Sequence, residues 1–264
     1  MTKNHVALIL AAALVPGSAA AQGWEPAAGT PRDNFSLYRG SEARLSYGQV
    51  RDGSSPASDE IALDTSSTFW LAPFLGAQVD AGLRWLDLDE AGLGLGVHLH
   101  LMADDGSRFG AYYLPTFVDE DDFGDDRFDN YGIEGMFEAM PGLTIEARLG
   151  RFDGAAEAPY LGASGYYALS PEIMLTADFQ HTRADRTLAG RDDVNFTDML
   201  VGAEYYMPGS DIRLSGGIGL LAQSGDVDET DLRIEFGATL FAFGAPATTA
   251  RSRSFGQQRL PGVF

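Results

Sequence analysis

The feature that most constrains this chain is a side-chain alternation with a period of two, repeated along most of its length. Residues 141–151, PGLTIEARLGR, show it: Leu143, Ile145, Ala147 and Leu149 alternate with Thr144, Glu146, Arg148 and Gly150. Successive side chains of a β-strand point to opposite faces, so this stretch reads as a strand with one apolar and one charged face. The same reading predicts twelve strands, at 43–50, 66–75, 78–87, 92–103, 107–118, 129–139, 143–152, 158–169, 172–182, 195–206, 211–223 and 231–243. Leu93, Leu95, Val97, Leu99 and Leu101 face away from His98 and His100, and Leu232, Ile234, Phe236 and Leu240 face away from Arg233 and Glu235. Most of these segments have ~9–11 residues, the length of a tilted membrane crossing. What remains open is which face meets water.

The connections alternate too. Gly76-Ala77, Asp104-Asp105-Gly106, Met140-Pro141-Gly142, Ser170-Pro171 and Met207-Pro208-Gly209-Ser210 supply tight turns at one end. The connections at the other end include long acidic ones at 51–65, 119–128, 183–194 and 224–230.

The N-terminus narrows the compartment. Lys3 and His5 precede the apolar run Val6–Val15, Pro16 and Gly17 break it, and Ser18-Ala19-Ala20-Ala21 offers small residues for cleavage. This is a signal-peptide pattern, so 1–21 is expected to be removed on export. The run is too short to span a bilayer, and no later stretch is long and apolar enough for a transmembrane helix. Residues 22–42 read as a loose leader, 43–243 as the β-domain and 244–264 as a basic, disordered tail. Losing 1–21 removes the single Lys and no acid, so the net charge of −20 becomes −21 and every remaining base is Arg. Such a surface repels nucleic acid. The absence of Cys removes thiol catalysis, thiolate metal sites and disulfide bracing.

Aromatic residues help choose the solvent. On the apolar faces, Phe109, Phe137, Tyr167 and Tyr205 lie near the tight turns, and Phe69, Trp85, Phe117, Tyr131 and Phe179 lie toward the long loops. Two such belts are expected where rings sit at lipid headgroups. With the alternating strands, the loop asymmetry and the export signal, the chain over 43–243 resembles the bacterial outer-membrane β-barrels of the porin-like superfamily. Glu235–Phe243, with its Gly and its apolar end, is similar to the closing strand that the barrel-assembly machinery recognises in that superfamily, although a basic tail follows it here. The resemblance implies an all-β, antiparallel, up-and-down barrel of about twelve strands. It implies an outer-membrane location, with membrane lipid and lipopolysaccharide as neighbours and no cofactor. On this reading Leu143, Ile145, Ala147 and Leu149 face lipid.

The opposite parity then lines a lumen of mixed charge: Asp80, Arg84, His98, His100, Glu134, Glu138, Glu146, Arg148, Asp178, Glu204, Arg213, Arg233 and Glu235. A hairpin around Pro141-Gly142 sets Glu134 opposite Arg148. These groups can line a narrow passive channel for small solutes or cross-brace a closed barrel that acts through its external loops. His98 and His100, with Asp80 nearby, read first as hydrogen-bonded lumen residues and second as a transition-metal site. The loop Val118–Asp129 carries Asp119, Glu120, Asp121, Asp122, Asp125, Asp126 and Asp129. It reads as a solvated loop, with divalent cations as the functional alternative. A lipid-modifying enzyme would need a nucleophile beside the rim His181, and Arg183 stands where a Ser two residues on would be expected. Without such a set the chain is not expected to be an enzyme. The tail, with Arg251, Arg253 and Arg259 and no acid, can alternatively enter the acidic lumen.

Overall fold

A computed structural model describes residues 38–51, 58–86, 90–103, 107–119, 127–154, 157–184, 194–225, 228–242 and 253–256. The chain forms twelve strands: β1 Tyr38–Arg51, β2 Ser58–Ala72, β3 Leu75–Leu86, β4 Glu90–Met102, β5 Arg108–Asp119, β6 Arg127–Met140, β7 Leu143–Asp153, β8 Ala158–Ala168, β9 Ile173–Ala184, β10 Val194–Tyr206, β11 Ile212–Ser224 and β12 Glu229–Ala242. Each pairs antiparallel with its sequence neighbours, and β1 pairs with β12 from Ser41↔Ala242 to Arg51↔Leu232, closing the barrel. Closure leaves no bare strand edge, which a hydrocarbon solvent requires because it cannot hydrogen-bond backbone.

The alternation decides which way each side chain points. Leu149 pairs with Ile133 on one side and Leu161 on the other, and all three face outward. Leu149 is 57% exposed and Ile133 61%. Leu45, Val97, Leu99, Val201, Leu214, Ile218, Phe236 and Leu240 continue this exposed apolar surface around the barrel. Exposed apolar area of this extent needs an apolar neighbour, and on a closed barrel that neighbour is lipid.

The first two strands differ from expectation. β1 starts at Tyr38, inside the stretch read as a leader, and β2 starts at Ser58, inside a stretch read as a long loop. Polar residues hid both: Glu42, Arg44, Glu60 and Asp64 face the interior, where charge is accommodated, while Leu45, Tyr47 and Ile61 keep the outward alternation. Pro73 lies in the β2–β3 turn rather than in a strand, where its missing amide hydrogen costs nothing. The turn expected at Gly76-Ala77 is part of β3; the His100 side chain fills the space a Cβ on Gly76 would occupy.

Two local features shape the wall. Gly132 and Gly150 pair across β6 and β7, and the Tyr112 hydroxyl sits where a side chain on either would lie. In β5, Pro115 stands in a strand paired on both sides. The β4–β5 register runs to Gly94↔Thr116 and resumes at Val97↔Tyr113. Pro115 has no amide hydrogen for the interval between them.

Candidate functional site

The site is the lumen, built from the inward parity of all the strands. At its centre His98 of β4 lies between two carboxylates from strands on either side. Its Nε2 is 2.8 Å from Asp80 Oδ2 and its Nδ1 is 2.7 Å from Glu134 Oε1. Glu134 is the register partner of Arg148, whose Nε lies 3.6 Å from its Oε2. Arg148 also pairs with Glu146 on its own strand. These side chains are nearly inaccessible, and each meets a partner of opposite chemical type.

A second cluster lies across the barrel. Arg233 reaches Asp198 at 2.8 Å, Glu235 at 3.2 Å and Glu60 at 3.8 Å. Glu235 also takes Arg44 at 2.5 Å, and Arg84 pairs with Glu60 at 3.3 Å. Near the tight turns Arg213 lies 3.6 Å from both Glu42 and Glu204, with its guanidinium 5.1 Å from the centre of the Phe241 ring.

Arg253–Gly256 runs through the lumen between these clusters. Arg253 makes a two-pronged contact with Glu204, at 2.7 and 2.8 Å, and lies 3.8 Å from the centre of the Tyr166 ring. Burial opposes its charge, but Glu204 outweighs burial and holds the guanidinium well above its ordinary range. Phe255 is buried, stacked 5.9 Å from His98 and meeting His100 edge-on at 5.5 Å. Two cavities, of about 150 and 100 Å³, both touch Arg253 and Gly256. The larger is bordered by Ser164, Asp178, Gln180 and Asp198, and the smaller by Ser46, Asp64, Arg84 and Arg233. The wall carries Arg44, Arg84, Arg108, Arg148, Arg213 and Arg233 against a larger set of acids: Glu42, Glu60, Asp64, Asp80, Glu134, Glu146, Asp178, Asp198, Glu204 and Glu235. Among the described residues the lumen wall is net acidic, and Arg253 lies against it as a counter-cation.

No protein-family model and no curated protein sequence matches the chain. Solved structures do. An outer-membrane channel from Pseudomonas putida F1 aligns with 81% of this chain and 100% of its own, at 14% identity and a TM-score of 0.62. The NanC porin aligns at 12% identity and 0.55, and the KdgM porin at 8% and 0.53, each over 75% of this chain and 98% of its own. The chain has the fold of the porin-like outer-membrane barrels.

Within this porin-like barrel the residues expected in the lumen do not all meet. Asp80, His98, His100, Glu134, Glu146, Arg148, Glu204, Arg213, Arg233 and Glu235 are buried inside it, and Arg84 and Asp178 are half-buried there. Glu138 keeps the inward parity of β6, opposite Thr144, but is exposed at the tight-turn end, where it accepts the Gly142 amide at 3.1 Å. A register shift between Glu138 and Met140 accompanies this. Phe109, Phe117, Tyr131, Phe137, Tyr167, Phe179 and Tyr205 face outward and exposed, whereas Phe69 and Trp85 are half-buried. Both nitrogens of His98 are engaged, and among the described residues no group of three or more His, Asp or Glu is arranged to hold a metal. Glu120, Asp121, Asp122, Asp125 and Asp126 lie outside the described residues, and of Asp119 only the backbone, at the end of β5, is described. His181 bonds the Thr197 hydroxyl at 3.0 Å.

One feature was read in the sequence only as an alternative, and another went unread. The tail is not wholly disordered, since 253–256 is held in the lumen; its Arg residues without an acid were the signal. The interior also holds an apolar cluster toward the long-loop end, formed by Tyr112, Phe152, Ala158, Tyr160, Val194 and Phe196. A second one, at the tight-turn end, joins Tyr166, Met174, Tyr206 and Phe241. Phe241 has the inward parity of β12, which explains why it does not belong to a lipid-facing belt.

Proposed function

We propose that this protein is a narrow passive outer-membrane channel for small solutes, with a preference for cations. The observation that carries the reading is a closed, apolar-girdled barrel enclosing a charged lumen whose acids exceed its bases. Such a wall concentrates cations in a low-dielectric passage and repels anions. The channel and porins that share the fold support the transport class. Residues 1–21 are its cleaved export signal, the tight-turn end faces the periplasm, and the acidic connections face lipopolysaccharide, with divalent cations bridging the two.

The test is single-channel recording in a planar bilayer under a potassium chloride gradient. The expected result is discrete steps with a cation-selective reversal potential, made more cation-selective by Arg148→Glu. Folded protein that stays silent, both as wild type and as the Arg253→Ala/Phe255→Ala variant, overturns the channel reading.

A further inference from the structure

The barrel closes without its C-terminal segment, because β1 and β12 pair along eleven registered positions. Yet the lumen engages the Arg253 side chain and main-chain groups of Arg253, Phe255 and Gly256. The carboxylate of Glu204 takes the guanidinium edge-on with two hydrogen bonds, and Tyr166 offers its ring face. A planar fork matched to a carboxylate is a contact that an ammonium cannot reproduce. Gln78 pairs with the main chain of Phe255 as a neighbouring strand would, accepting its N–H at 2.8 Å and donating to its carbonyl at 3.0 Å. The Phe255 ring lies parallel to His98, with the Arg108 guanidinium 4.8 Å from its centre. The Arg253 carbonyl accepts from Arg108 and the Gly256 carbonyl accepts from Arg148. These contacts come from β3, β4, β5, β7, β8 and β10, so rigid wall strands present them.

This arrangement has the properties of a recognition site rather than of general packing. It combines a charge-specific pocket, an aromatic slot and main-chain pairing, and two polar cavities border it, both touching Arg253 and Gly256. We propose that the lumen contains a binding site for peptides combining a guanidinium with an aromatic ring, occupied by Arg253–Gly256 as a tethered ligand that free ligands of that chemistry displace. Because the segment belongs to the same chain as the site, its effective concentration is on the order of millimolar. A free ligand therefore competes only at comparable concentration or with tighter contacts. The binding stands apart from the channel reading; the consequence that displacement opens the pore rests on it.

The experiment uses the full chain carrying Arg253→Ala/Phe255→Ala, which alters no wall residue, and a fluorescently labelled acetyl-Arg-Ser-Phe-Gly-amide. Folding is checked for each variant by its β-sheet circular dichroism and its shifted mobility on an unheated gel. Anisotropy is expected to show the double variant binding the peptide at least about tenfold more tightly than wild type, in which the tether competes. Adding Glu204→Gln is expected to weaken binding about 10- to 100-fold, and replacing the peptide's Arg by Lys is expected to weaken it as well. No binding to the double variant, or binding indifferent to Glu204→Gln, overturns the site. In bilayers the double variant is expected to conduct more than wild type, and peptide to close it again. Specific binding by a barrel that never conducts supports the site and refutes the channel; conductance by a variant that does not bind peptide overturns the site and leaves the channel.

Discussion

Leu149→Arg separates an inside-out barrel from any soluble arrangement of the same strands. Leu149 sits between Ile133 and Leu161 in an outward row, well away from both ends of β7, and is 57% exposed without membrane around it. In water such a position accepts Arg with little effect. In lipid near the midplane an Arg costs about 2–4 kcal/mol, even allowing for snorkelling and local thinning. That is about a 30- to 900-fold loss in the folding equilibrium constant. The comparison is Ser164→Arg, which places the same side chain on the inward parity, beside the larger cavity and its register partner Asp178. There the guanidinium meets a carboxylate and water, and the expected change is within about 1 kcal/mol. Reversible urea unfolding in lipid vesicles, followed by tryptophan fluorescence, measures both. Equal costs at the two positions, or a harmless Leu149→Arg, would refute the assignment of the apolar face to lipid.

Three further perturbations test the interior and the wall. His98→Leu removes the group shared by Asp80 and Glu134 and is expected to cost about 3–5 kcal/mol in the same assay; a loss below 1 kcal/mol would show that the two carboxylates do not depend on it. Gly150→Ala drives a methyl into the Tyr112 hydroxyl and the β6 backbone, and is expected to destabilise the barrel by about 1–3 kcal/mol. Unchanged stability would mean that Tyr112 does not cover the glycine pair. Pro115→Val restores an amide donor to the interval in the β4–β5 register and is expected to stabilise by about 0.5–1.5 kcal/mol. Lower stability, or unchanged amide protection at Leu95 and Gly96, would show that the proline and not its missing hydrogen sets the local geometry.

The sequence alone determined the number of strands, their order and the side on which most residues lie. A period of two leaves each side chain only two choices, and hairpin connections tie each strand to the next, so the opposition of Glu134 and Arg148 across one turn was legible. It did not show where β1 and β2 begin, because a strand that places Glu42, Arg44, Glu60 and Asp64 inward has the composition of a loop. Closure decided what lies far apart in the chain: Arg44 meets Glu235, 191 positions away, only because β1 returns to β12. Nor did parity reveal that inward aromatics such as Phe152, Tyr160 and Phe196 touch one another. That contact depends on how strand register and curvature bring β7, β8 and β10 together inside the barrel. Arg253 and Phe255 carry no periodicity that points anywhere. Their place was settled by the tertiary structure, where a cation without acidic neighbours in sequence finds a buried carboxylate excess that only a closed barrel can assemble.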